Sequence, residues 1–128
     1  MLDGVPFVGF VPVRDAAAAR PFYESTLGLT VLFETPFALV LDANGTMVRV
    51  TTVPDLTPQP FTIAGWNVAD LVAAVTELVR RGVQFTDYAQ IEQDEHGIWT
   101  TPAGDRVAWF KDPDGNTLSL SQLVAGGD

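Results

Sequence analysis

The chain has no cysteine in its 128 residues, which removes disulfides, thiolate metal sites and thiol nucleophiles together. Basic residues are few. Seven Lys and Arg stand against sixteen Asp and Glu, a formal charge of −9, so nucleic acid and other polyanions would be repelled. The single histidine, His96, leaves little room for nucleophile and base pairs. No apolar run approaches the roughly 18 residues that cross a bilayer, and the start, MLDGVPFVGF, shows neither a basic region nor a small-residue cleavage site. A soluble, cytoplasmic protein with no membrane partner is expected. No G-x-S-x-G elbow, phosphate-binding P-loop or G-x-G-x-x-G follows a strand-like run.

What remains is a globular composition, 47% hydrophobic and 18% charged, of a length that suits one domain over residues 1–128. Along it a plan runs twice. Val5 to Val13 is a β-branched and aromatic strand, Asp15 caps a helix that Pro21 delays or bends, and Gly28 ends it. Strands follow at Leu29 to Glu34, Phe37 to Asp42 and Thr46 to Val53, the last two joined by an ANG turn. The proline-rich residues 54–60, PDLTPQP with its flanking Val53 and Phe61, read as a linker.

The second statement of the plan opens with a strand from Phe61 to Val68. Asp70 caps a helix with Leu71, Val75, Leu78 and Val79 on one face, and Gly82 stops it. Strands are expected at Val83 to Thr86, around Gly97 to Thr101, at Arg106 to Lys111 and at Thr117 to Leu123. The turn DANGT at Asp42 stands seventy positions before DPDGN at Asp112. Two βαβββ modules, about 5–53 and 61–123, are therefore expected, an α+β fold whose mixed sheets curl around a cavity with helices outside.

Two segments, VPVRD…FYESTLGL between Val11 and Leu29 and GIWTTPAGDRVAWFKDPDGNTLSLSQ from Gly97 to Gln122, resemble the vicinal oxygen chelate superfamily. Glyoxalase I, the bleomycin and fosfomycin resistance proteins and the extradiol dioxygenases belong to that family. The resemblance implies the doubled fold, a homodimer, and up to four metal-ligand positions held by His, Gln or Glu, two per module. Matched one by one, those positions hold Val8, Arg49, Ile63 and Ser119 here. No imidazole or carboxylate stands at any of them, and a cation at Arg49 would repel a metal ion. No metal and no other cofactor is expected. The acidic run EQDEHG, with Glu92, Asp94, Glu95 and His96, reads as a polar loop, and His96 as a hydrogen-bonding residue at its rim.

Strand alternation sets Thr117, Ser119 and Ser121 toward the cavity and Leu118 and Leu120 toward the helices. Counting back through the turns places Trp109 opposite Ser119 and Trp99 opposite Val107, both inward, while Gly65 and Asn67 follow Ile63 on the same side. Trp66, one residue out of phase, packs against the helices. Indoles, hydroxyls and an amide bind flat ligands without activating a nucleophile, although inward tryptophans also fill cores and dimer interfaces. Arg49 would meet a ligand carboxylate or phosphate, or a structural carboxylate; a hairpin register shifted by one would turn it outward and bring Val48 or Val50 in.

The expected function is metal-independent binding of an aromatic or planar small molecule. The expected ligand-binding residues are Arg49, Asn67, His96, Trp99, Trp109, Thr117, Ser119 and Ser121, with no catalytic residue. The alternative is a glyoxalase-like lyase or isomerase, or a dioxygenase relative, with unconventional residues such as Tyr88, Glu95 and His96. A third is an interaction module whose cavity is filled by its own side chains.

Overall fold

Each half of the chain forms the strand, helix and three strands that the repeated pattern implies. The computed structural model describes residues 1–124. Two compact units form, one through Thr57 and one from Pro58 onward.

In the first unit, β1 (Val8–Val13), α1 (Ala16–Arg20), β2 (Thr30–Glu34), β3 (Ala38–Ala43) and β4 (Thr46–Thr52) follow in order. The sheet runs β1-β4-β3-β2, with β1 and β4 parallel and the other pairs antiparallel. Asp15 caps α1 by accepting from the Ala17 amide at 3.1 Å. Pro21 has no N–H to continue the α pattern, so the helix goes on as a π-helical turn, Pro21–Thr26, closed by the Leu27 amide donating to the Phe22 carbonyl at 2.9 Å. Tyr23 on that turn is buried, with Leu39, Leu41 and Val50. The β3–β4 turn uses Asn44 and Gly45, both at positive φ (51° and 93°), the mirror-image turn that matches the twist of paired strands.

The second unit contains β5 (Thr62–Asn67), α2 (Leu71–Arg80), β6 (Trp99–Thr100), β7 (Arg106–Lys111) and β8 (Thr117–Gln122). Its sheet repeats the topology, β5-β8-β7-β6, with β5 and β8 parallel. Neither four-stranded sheet closes on itself. Asp70 caps α2 through the Ala73 amide at 3.1 Å. Leu71 and Val75 are buried, as are Phe110, Leu118 and Leu120 on the strands that α2 packs against; each such burial stabilises the fold by about 1.5–3 kcal/mol. The β7–β8 turn is held by Asp112, whose carboxylate accepts from the Asp114 and Asn116 amides and from Asn116 Nδ2, each at 2.9 Å.

Three expected strands depart furthest from the residue pattern, the others by no more than two end residues. The first begins at Val8 rather than Val5, because Pro6 has no donor for a ladder. Val83 to Thr86 forms only an isolated bridge, Phe85 with Phe110. The strand around Gly97 reduces to Trp99 and Thr100, bounded by Gly97 at φ 77° and by Pro102. Among the described residues no helix is long and apolar enough to cross a membrane.

Candidate functional site

Strand β8 sorts its side chains by face. Leu118 and Leu120 are buried on the side that α2 covers, so Thr117, Ser119 and Ser121 lie on the helix-free side. The ladder pairs Trp109 with Ser119 and Val107 with Ser121, and Trp99 of β6 with Val107. Both indoles therefore share the helix-free face. Trp66 pairs with Leu120 on the other.

On that face the aromatic rings form one cluster. Trp99 stacks on Trp109 at 6.2 Å between centroids and 26° between planes, and Tyr88 meets Trp109 edge-on at 5.4 Å and 89°. Both arrangements suit the quadrupole of an aromatic ring. Trp109 Nε1 donates to Thr62 Oγ1 at 3.1 Å, which fixes the indole and leaves the Thr62 hydroxyl hydrogen free to donate elsewhere. A cavity of about 310 Å³ opens beside the cluster, lined by Phe61, Thr62, Tyr88, Trp99, Trp109 and Thr117 together with Pro60, Gln90 and Ile91. Among the described residues no charged side chain lines it.

Tyr88 comes from a loop, and Gln93 holds that loop in place. Its Oε1 accepts from the Tyr88 amide at 2.7 Å, and its Nε2 donates to the carbonyls of Thr86 at 3.0 Å and Gly97 at 2.8 Å. Neither the part played by Gln93 nor the convergence of Tyr88 on the indoles has a periodic signature in the sequence. The composition of the loop is its only signal.

A bulge in β5 changes which residues share the site. Thr62 pairs with Thr117, but Ala64 pairs with Leu118, so Ile63 is the extra residue between them. Simple alternation puts Ile63 on the face of Gly65; instead Thr62, Gly65 and Asn67 stand opposite Thr117, Ser119 and Ser121. Gly65 is required by close approach. A Cβ there would clash with Ser119 Oγ and lie 3.1 Å from the Ser119 carbonyl oxygen. Ser119 itself is 8% exposed.

The expected site residues thus divide. Trp99, Trp109 and Thr117 line the cavity, and Ser119 lies beside Trp109 on the same face. Ser121 and Asn67 are farther along that face, outside the cavity lining, and Asn67 Oδ1 accepts from the Leu123 amide at 3.1 Å. His96 is elsewhere, lining with Glu95, Asp87, Val75 and Val79 a separate cleft of about 490 Å³ beside α2. Tyr88 lines the aromatic cavity and Glu95 and His96 the cleft, so these three do not form one acid and base set. Arg49 belongs to the first unit, on β4 between Phe10 and Val40.

The family's metal positions do not fit a divalent ion. Val8 and Ile63 offer hydrocarbon, Arg49 a cation and Ser119 a hydroxyl, where convergent lone-pair donors are needed. In the acidic loop, Asp94 serves the backbone, accepting from the His96 and Ile98 amides at 2.9 and 3.0 Å. Among the described residues no three His, Asp or Glu side chains gather as a metal site requires.

Comparison with known proteins agrees with this architecture. The family model for the Glyoxalase/Bleomycin resistance protein/Dioxygenase superfamily matches residues 5–120. Among solved structures, the antibiotic binding protein TnmS3 from Streptomyces sp. CB03234 is similar at 27% identity and a TM-score of 0.72, over 95% of this chain and 98% of that one. A bleomycin-binding protein complexed with bleomycin shares the fold at 24% identity and TM-score 0.71, over 92% and 98%. Lactoylglutathione lyase from Agrobacterium tumefaciens shares it at 12% identity and TM-score 0.72, over 95% and 96%. No curated protein matches the sequence.

Proposed function

From the premise that the chain belongs to the glyoxalase/bleomycin resistance protein/dioxygenase superfamily, we propose that it binds a planar aromatic small molecule without using a metal ion. The carrying observation is the cavity of about 310 Å³ walled by Tyr88, Trp99 and Trp109, with no charged side chain among the described residues that line it. That volume is at the small end for ligand pockets and suits a few fused rings. The indole faces supply stacking, while Thr62, Gln90, Thr117 and the Tyr88 hydroxyl supply orienting hydrogen bonds. Similarity to an antibiotic binding protein over nearly the whole chain supports the same reading.

Sequestration asks only for affinity, whereas a glyoxalase-type reaction asks for groups that move a proton at the bound molecule. Among the described residues the cavity's titratable member is Tyr88 alone. Binding without turnover is therefore the reading these side chains favour. Ser119 extends the site beneath the indole, and Ser121 and Asn67 continue its polar edge.

The working form is read as a cytoplasmic homodimer. Support comes from Leu32 and Phe37, 50% and 73% exposed in the single chain, since large apolar side chains left exposed invite a second copy. Sedimentation velocity at micromolar concentration should show a dimer; a monomer at all concentrations would contradict this. For binding itself, titration with planar aromatic compounds while following tryptophan emission should give saturable quenching. A compound set spanning two to four fused rings with no saturable response would overturn the proposal.

A further inference from the structure

Six of the seven basic residues are arginines, and five of the six have partners. Arg20 meets Glu24 at 2.9 Å and Glu34 at 3.8 Å, Arg80 and Arg81 both reach Glu77, Arg106 stands 4.0 Å from Asp94, and Arg14 donates to the Leu56 carbonyl at 3.2 Å. Arg49 is the exception. Its guanidinium has no hydrogen bond and no ion pair among the described residues, although carboxylates outnumber cations by nine in the sequence.

The position of Arg49 makes this costly. The Ala16 amide donates to Thr52 Oγ1 at 2.9 Å, which identifies the α1 side of β4 as the side of Thr52 and Val50; by alternation Arg49 points from the opposite, helix-free face. Its ladder neighbours are Phe10 and Val40, with Val8 and Met47 one pair farther along. The side chain is half-buried in this apolar setting. The carboxylate that β3 places on that face, Asp42, accepts from the Gly45 amide at 2.8 Å and holds the turn. Partial desolvation of a cation without a counter-charge is unfavourable, and its retention points to an anion supplied from outside the chain.

We propose that the helix-free face of the first sheet recognises an amphipathic monocarboxylate, its carboxylate paired with Arg49 and its apolar body laid on Phe10. The planar, five-donor guanidinium matches a carboxylate through two parallel hydrogen bonds. Phe10, 65% exposed, and Val8, 37% exposed, supply the apolar surface beside it. A single negative charge is specified because the net charge of −9 repels polyanions. The site goes beyond the aromatic cavity of the second unit and does not depend on that cavity being filled.

The test uses 2-naphthoate and its neutral counterpart 2-naphthylmethanol as probes, with amide chemical shifts read on 15N-labelled full-length protein. Naphthoate should give saturable shifts at Val8, Phe10 and Arg49, and the alcohol should bind more weakly there by on the order of tenfold or more. Arg49→Met should lose naphthoate binding by a similar factor while its urea midpoint stays or rises, since no partner among the described residues is lost and an uncompensated charge is removed. Arg49→Lys should retain part of it. Equal binding of acid and alcohol, unchanged affinity in Arg49→Met, or shifts confined to other residues would overturn the proposal. So would an Arg49→Met protein whose only change is in the monomer and dimer distribution, because the guanidinium would then be meeting a second copy.

Discussion

Replacing Gly65 by alanine should destabilise the protein because of one neighbour, Ser119. The new Cβ would clash with Ser119 Oγ and stand 3.1 Å from the Ser119 carbonyl oxygen. The hydroxyl can rotate away, but the carbonyl belongs to the β5–β8 ladder and can yield only by shifting the strand. Overpacking of this kind costs about 1–3 kcal/mol. Alanine recovers about 0.4–1 kcal/mol by restricting the unfolded chain. A net loss of about 1–2 kcal/mol follows, equivalent to roughly 4–8 °C in Tm for a chain of this size. In a Ser119→Ala background the hydroxyl obstacle is gone and the Ser119 Cβ, 3.6 Å from the added atom, is in ordinary contact. The same Gly65→Ala change should therefore cost less there, with a coupling of about 0.5–1 kcal/mol. Urea unfolding of the four proteins measures it. Strict additivity, or a stabilised single variant, would refute the register that sets Gly65, Ser119 and Trp109 side by side.

Thr62→Val removes the acceptor for Trp109 Nε1 while keeping strand-compatible shape, and should cost about 0.5–1 kcal/mol with a changed tryptophan emission; an unchanged emission spectrum would count against that bond. Asp112→Ala deprives two backbone amides and the buried Asn116 amide of their acceptor at once, so a loss on the order of 3 kcal/mol is expected in thermal melts. Glu77 is held at about 2, below its ordinary 4.5, by hydrogen bonds from Arg80 and Arg81. A depressed carboxyl stabilises above its unfolded value and loses that contribution as pH falls through the folded one. Glu77→Gln should accordingly flatten the stability profile between pH 4.5 and 2, more visibly at low salt; parallel profiles would contradict the pairing.

The features legible in the sequence are those fixed by a few adjacent residues. Asp15 and Asp70 cap helices because their carboxylates sit next to the amides they bind, and Asn44–Gly45 and Asp112 to Asn116 turn strands for equally local reasons. Counting back from those turns sets the strand register, hence the shared face of Trp99, Trp109 and Ser119. Departures arise where one residue is inserted or where distant segments meet. The bulge at Ile63 moves Thr62 onto the face assigned by alternation to Ile63, and a bulge carries no compositional mark. Tyr88 reaches Trp109 only because Gln93 ties its loop down. His96 follows the same loop to a different cleft, an outcome that depends on loop path rather than residue type. Arg49 stands out in sequence as a cation at a chelating position, but that its guanidinium has no partner among the described residues is visible only in three dimensions.

The proposed binding sets the ligand against Trp99 and Trp109, and not against Trp66. The three indole N–H resonances of 15N-labelled protein, assigned by Trp→Phe variants and followed during titration with a planar aromatic ligand that quenches emission, test it directly. The signals of Trp99 and Trp109 should move together and saturate while that of Trp66 stays fixed. Movement of Trp66 alone, or saturable binding that leaves Trp99 and Trp109 unmoved, would contradict the account.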